Sequence, residues 1–224
     1  MLAQLILAAA ALGLLLAVRL YQVLPRRNRP RRKDSDKRPT RSLAVFLGSG
    51  GHTAEMRTML RALDRRKYTP RIYVYGAGDA LSLRAVSELE EDAKSSEYSL
   101  LALPRARAVG EGKLSTLVSA SRTLAVTLRH TFFLPLIQRP SEPWADVLVL
   151  NGPGTAAVLV LVAQVFGLRY TKIVYVESFA RVKSLSLTGK LLRPLVDTFV
   201  VQWPDAAGDG AAPGSGTTYK GWLV

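Results

Sequence analysis

The chain has 224 residues, 48% of them hydrophobic, which is room for one core of ordinary size plus appendages; with no cysteine it has no disulfide staple, thiolate metal site or cysteine nucleophile. Two histidines are too few for a zinc cage. The net charge of +14 is concentrated, with ten of the 31 Lys and Arg between Arg19 and Arg41 against Asp34 and Asp36, so it marks one segment and argues against a nucleic-acid-binding protein.

At the N-terminus, Leu2 to Val18 is apolar except for Gln4. As a helix this segment spans roughly 25 Å, close to the thin bilayer of the endoplasmic reticulum at about 27 Å. Positive residues follow it instead of preceding it, and Arg19-Leu-Tyr-Gln-Val offers no small-residue cleavage site, so 1–20 reads as a retained transmembrane anchor. The same asymmetry puts everything beyond it in the cytosol. Residues 21–41 carry Pro25, Pro30 and Pro39 among the basic residues and read as an extended cytosolic tether.

From residue 42 to 204, short runs rich in Val, Ile, Leu and Tyr alternate with longer helix-like stretches, the pattern of a parallel sheet covered on both faces. The predicted strands are Ser42–Leu47, Arg71–Tyr75, Tyr98–Leu103, Asp146–Leu150, Lys172–Val176 and Thr198–Gln202, with helices near 53–66, 81–93, 114–137, 155–167 and 186–195. The expected fold class is a single doubly wound, Rossmann-like α/β domain with ligands at the carboxyl ends of its strands. Leu117–Ile137 is long and apolar but interrupted by Arg122, Arg129 and Pro135; a buried core helix and a face leaning on the membrane are both open readings. His130, beside Phe132 and Phe133, reads as packing. Residues 205–224 form a Gly, Ala, Pro and Ser rich link and an apolar tail ending Trp222-Leu223-Val224.

Three turns carry the chemistry. Gly48-Ser49-Gly50-Gly51-His52-Thr53-Ala54-Glu55 joins the first strand to the first helix, where glycines let backbone amides turn toward an anion. It lacks glycine at position 53, as a dinucleotide fingerprint requires, and the Gly-Lys-Ser/Thr end of a Walker loop, so hydride transfer and simple NTP hydrolysis lose ground. A second turn, Asn151-Gly152-Pro153-Gly154-Thr155, closes the Asp146–Leu150 strand, and the two turns at one sheet edge have the chemistry to embrace a diphosphate. The third stretch runs Tyr175-Val-Glu177-Ser178-Phe-Ala-Arg181 and leads on to Gln202-Trp203-Pro204.

These motifs together resemble one family, the membrane-anchoring subunit of the two-subunit UDP-N-acetylglucosamine transferase that makes the second sugar addition to dolichol-linked N-glycan precursors. The resemblance covers about residues 43–204, with the anchor and the apolar C-terminus; the long basic tether and the Gly/Ala-rich insert depart from it. It implies the acceptor half of a two-domain GT-B glycosyltransferase cut into two polypeptides. A soluble partner would bring the UDP-N-acetylglucosamine site, and the pair would make β-1,4-linked chitobiosyl diphosphodolichol at the cytosolic face of the endoplasmic reticulum and contiguous nuclear membrane, with no cofactor and no metal. Gly48, Ser49, Gly50, Gly51, Thr53, Asn151, Gly152, Gly154 and Thr155 are then the diphosphate seat. His52 either takes the proton of the attacking hydroxyl, binds phosphate or caps the helix; Glu55 either orients or replaces it, or complements the helix dipole. Glu177, Ser178 and Arg181 are placed at the acceptor sugar, with an ion pair between Glu177 and Arg181 as the plainer expectation. Trp222, Leu223 and Val224 are expected to meet the soluble partner. A scaffold that supplies no chemical group, and a self-sufficient transferase on another polyprenyl-linked sugar, are the competing readings.

Overall fold

The computed structural model describes residues 38–91, 97–106, 110, 112–140, 142–152, 154–165, 171–208 and 217–224, with eight helical positions (4, 6, 7, 10, 11, 13, 14 and 18) of the apolar N-terminal segment. Most of the expected anchor, the tether up to residue 37 and the Gly/Ala-rich stretch 209–216 lie outside the described residues. Among the described residues no helix is long and apolar enough to cross a membrane.

In chain order the elements are β1 (Arg41–Leu47), α1 (Gly51–Arg61), β2 (Tyr68–Gly76), α2 (Ala80–Glu91), β3 (Tyr98–Leu103), α3 (Lys113–Leu128), a π-helical turn (Arg129–Phe133), α4 (Leu134–Gln138), β4 (Val147–Leu150), α5 (Gly154–Val165), β5 (Lys172–Val176), α6 (Leu187–Leu192), β6 (Thr198–Val201), α7 (Pro204–Ala207) and β7 (Thr217–Tyr219). All seven strands are parallel, in the order β3-β2-β1-β4-β5-β6-β7. The doubly wound sheet expected from the alternation of apolar runs is therefore present, with a seventh strand at one edge that the sequence Thr-Thr-Tyr did not announce.

Strand β1 shows why both faces must be covered. Leu43, Val45 and Leu47 pack on one side with Met56 and Leu60 of α1, Tyr73 of β2, and Val86 and Leu89 of α2. Ala44 and Phe46 point the other way, into the larger core built on Leu148, Leu150, Ile173, Tyr175 and Phe199 under Ala156, Leu159 and Val160 of α5.

The predicted helix 114–137 is three pieces. Pro135 has no N–H to give the carbonyl four residues back, and just before it the ladder slips to a π turn in which Leu134 N bonds Arg129 O. The segment divides by face into a buried side and an exposed one. Thr123, Thr127, Thr131 and Pro135 are buried, with each Thr hydroxyl donating to the carbonyl one turn back at 2.7–2.9 Å, while Leu114, Leu117, Val118, Phe133 and Ile137 are exposed alongside Arg122 and Arg129. His130 is half-buried.

Other boundaries moved for local reasons. Strand β2 begins three residues early because Pro70, which cannot donate to a ladder, falls where the pairing with β1 shifts register between Tyr68 and Arg71. Strand β4 starts after Asp146, whose carboxylate accepts from Ser42 N (2.9 Å) and Ser42 Oγ (3.0 Å) and pairs with Arg38 at 2.5 Å. Arg38 thus ties the segment just before β1 to the domain. Burial acts to raise the Asp146 carboxyl, but the Arg38 guanidinium and the Ser42 donors outweigh it and hold the group below the usual carboxylate range.

Between β2 and α2 lies a buried charged knot. Arg71, 1% exposed, bonds both oxygens of Glu90 (2.8 and 2.7 Å) and the carbonyls of Arg65 and Tyr68, while Tyr73 Oη donates to Glu90 at 2.5 Å. Hydrogen bonding to Glu90 raises the Arg71 guanidinium, and burial pushes the Tyr73 phenol up, so both keep their protons.

Candidate active site

The strand order reverses between β1 and β4, and in a doubly wound sheet that switch point opens the crevice where ligands sit. The first two Gly-rich turns leave the sheet there, side by side, and the third motif leaves β5 next to them.

The turns touch through glycine. A Cβ at Gly48 would lie 2.7 Å from His52 Cβ and 3.0 Å from the Asn151 carbonyl oxygen, so no side chain fits. Gly152, with φ 118°, faces Gly48 across the crevice, and its carbonyl accepts from Tyr175 Oη at 3.1 Å. Burial, aided by the Glu177 charge, pushes the Tyr175 phenol up and keeps it a donor. Ser49, Gly50 and Gly51 are exposed at the mouth, Gly50 has φ 65°, and no side chain caps α1. Beside Gly50 a cleft of about 350 Å³ opens between α1 and α2, with Arg57 and Arg84 on its wall. The close backbone approach falls at Gly48 and Gly152; at Gly154 an added Cβ meets nothing within 4 Å.

Four side chains from the three motifs form one hydrogen-bonded line. His52 Nδ1 is 2.7 Å from Asn151 Oδ1, Asn151 Nδ2 donates to Glu55 Oε2 at 2.7 Å, and Ser178 Oγ donates to Glu55 Oε1 at 2.8 Å. The Phe179 amide adds a third bond to Glu55, 3.2 Å to Oε2.

Several of the expected site residues are engaged by contacts within the fold. Asn151 is fully buried with both ends of its amide engaged, so its side chain does not line a phosphate seat. Thr53 is buried too: its hydroxyl donates to the Gly48 carbonyl and meets Ser82 Oγ at 2.9 Å, bracing the turn from behind. The Thr155 hydroxyl accepts from Ala106 N at 3.1 Å. Glu177 makes no ion pair with Arg181. Its carboxylate, 1% exposed, turns inward and accepts from Ser178 N (3.1 Å), Ser186 N (3.1 Å) and Ser186 Oγ (3.0 Å), while Arg181 is exposed. Ser186 also caps α6 by accepting from Gly189 N at 2.9 Å, and a Cβ on Gly189 would collide with the Glu177 carboxylate. The Ser-Leu-Thr-Gly run that makes this seat is visible in the sequence as a helix start; its bond to Glu177, nine residues back at the end of β5, is not.

The C-terminal tail folds back onto the third motif. Trp222 packs on Phe179 and Trp203, with centroids 6.0 and 5.2 Å away, Trp203 Nε1 donates to the Phe179 carbonyl at 2.7 Å, and Leu223 N donates to Gln202 Oε1 at 3.1 Å. Trp222 remains 64% exposed.

Residues 43–213, which include all three motifs and their hydrogen-bonded line, match the family of oligosaccharide biosynthesis proteins like Alg14. The chain belongs to this family. A UDP-N-acetylglucosamine transferase subunit ALG14 of Cryptococcus neoformans var. neoformans serotype D is 53% identical over 190 residues, 82% of this chain and 80% of that protein. The Mus musculus protein of the same name is 37% identical over 218 residues, 91% of this chain and 93% of its own length. Among solved structures, the crystal structure of LpCGTa in complex with UDP superposes with a TM-score of 0.51 at 13% identity, over 83% of this chain and 54% of that one. That likeness is one of fold: the Alg14-like chain spans about half the length of the structure it resembles.

Proposed function

We propose that this chain is the membrane-anchored, acceptor-binding subunit of a UDP-N-acetylglucosamine transferase. It would present N-acetylglucosaminyl diphosphodolichol, at the cytosolic face of the endoplasmic reticulum, to a soluble partner that carries the nucleotide sugar. The observation that carries this reading is the meeting of three turns at the switch point of one domain, with His52 between two glycine turns and an uncapped helix start beside it.

In this reading the exposed amides of Ser49, Gly50 and Gly51 receive the acceptor diphosphate, and the cleft bearing Arg57 and Arg84 leads away along the lipid. His52 removes the proton of the acceptor 4-hydroxyl as its oxygen bonds to C1 of the donor sugar; the bond from C1 to phosphate breaks and its electron pair leaves on UDP. The product is β-1,4-linked. Relatives named as subunits, and a single α/β domain where a nucleotide-sugar crevice needs two, support a hetero-oligomer. The apolar segment 2–18 serves as the anchor, the basic tether lies on anionic headgroups, and the Trp222-Leu223-Val224 end, with Trp222 and Val224 exposed and Leu223 half-buried, offers the partner an apolar surface.

The test is sugar transfer from labelled UDP-N-acetylglucosamine to a synthetic polyprenyl diphosphate N-acetylglucosamine by the co-purified complex. His52→Ala should still assemble and lose about 100-fold or more in turnover. Full turnover by that variant would leave the chain as a scaffold.

A further inference from the structure

The hydrogen-bonded line through Asn151 fixes more than position. A carboxylate only accepts, and Glu55 already receives Ser178 Oγ–H and the Phe179 amide, so the Asn151 atom 2.7 Å away must be the amide nitrogen, donating. The other end of that amide is then the carbonyl oxygen, and the His52 Nδ1 lying 2.7 Å from it must carry hydrogen. Asn151 is fully buried, so its amide cannot turn over to find water instead.

Resting on the reading of His52 as the base that activates the acceptor, we propose that Glu55 is a positioning residue, acting through Asn151 to hold His52 in the Nδ1–H tautomer and keep the Nε2 lone pair for the acceptor hydroxyl. Each motif then has a part in one proton transfer. The first supplies the imidazole and the carboxylate, the second the amide that transmits orientation, and the third the hydroxyl and amide that hold the carboxylate still. The arrangement has the logic of a base–orienter pair with a neutral amide inserted between imidazole and carboxylate. The inserted amide also separates the tasks: the carboxylate sets which way Asn151 points, and no proton needs to pass to it.

The discriminating substitution is Glu55→Gln in the full chain assembled with its donor-binding partner. A glutamine can accept from Asn151 and Phe179 with its oxygen and donate to Ser178 Oγ with its nitrogen, so the order of donors and acceptors survives without a titratable group. Turnover is expected to stay above about one tenth of the unsubstituted complex, whereas Glu55→Leu and Asn151→Leu, which release the imidazole, should each fall about 100-fold with the donor KM unchanged. If Glu55→Gln falls as far as Glu55→Leu, the carboxylate itself takes the proton and the proposal is overturned.

A second measurement does not depend on transfer. The chain has only His52 and His130, so the ring ¹⁵N shifts of the full chain in detergent can be assigned with a single His130→Gln control. Neutral His52 should be the Nδ1–H tautomer, and should shift toward Nε2–H in Glu55→Leu. A Nε2–H tautomer in the unsubstituted chain would overturn the proposal even if transfer is normal. A complex with the expected tautomer and no transfer would instead sink the acceptor-subunit reading and leave the relay standing.

Discussion

Gly48 is where the first two Gly-rich turns share a space too small for a methyl group. Gly48→Ala would push against His52 Cβ and the Asn151 carbonyl, so it is expected to cost about 1–3 kcal/mol, seen as a melting temperature lowered by several degrees, and to weaken turnover by moving His52. Gly154→Ala, with open space around it, should leave the melting temperature in place. Equal losses in the two variants would mean that the turns are held apart by something other than contact. At this scale the sequence shows which residue types gather and hides what each one holds. His52, Glu55 and Asn151 stand out because they are the polar side chains with chemistry to offer at the first two glycine turns. That Asn151 lies bonded between His52 and Glu55 depends on side chains meeting from different elements, and spacing along a chain carries no trace of such bonds. Glu177 misled differently: a carboxylate at a strand end suggests a cationic partner, and the partners here are two backbone amides, of Ser178 and Ser186, and the Ser186 hydroxyl.

At the scale of elements, the central strands were legible because they bury most of both faces and so appear as apolar runs, whereas the short, half-exposed edge strand β7 gave no such run. The ends were not, because they depend on single tertiary events: a proline at a bulge in β2, a proline after α3, and the clasp of Asp146 on Ser42. The Arg71–Glu90 knot had no signal at all, since an arginine opening an apolar run reads as a solvated strand end. Removing one partner leaves the other charged and dry, so Arg71→Met should destabilise by about 3–5 kcal/mol, while the double change Arg71→Met with Glu90→Leu should recover most of that loss in urea unfolding. The Asp146 clasp makes a pH-dependent statement. Its carboxyl titrates lower in the folded chain than in the unfolded one, so its contribution is complete above the unfolded value of about 3.9 and is lost as the pH falls through the folded value. Asp146→Asn should therefore cost about 2 kcal/mol near neutrality, and the gap from the unsubstituted chain should close below about pH 4. A gap that stayed constant into acid would assign the loss to packing.

For the molecule as a whole, the reading proposed above puts an anchor and a tether ahead of the α/β domain, to which Arg38 is held by Asp146. Deleting 1–18 is expected to release a folded domain from membranes, with a residual attachment through the basic tether that salt removes, because charges outside the bilayer core are screened over about 10 Å at 0.1 M. Sedimentation at low and high salt measures both parts; a truncated chain that stays with membranes at high salt would shift the attachment to the exposed apolar face of α3 and α4.

The folded-back tail has an optical consequence. The chain has three tryptophans, and two of them, Trp203 and Trp222, come from segments separated by the Gly/Ala-rich stretch yet stand with rings 5.2 Å apart, while Trp144 is buried elsewhere in the core. Two indoles that close couple their electronic transitions, so the near-ultraviolet circular dichroism of the native chain carries a signature of the seated tail, and a chain ending at Gly221 should lack it. A partner that lifts the tail, or one that clamps it down, would then announce itself through the protein's own chromophores, with no label added to either molecule.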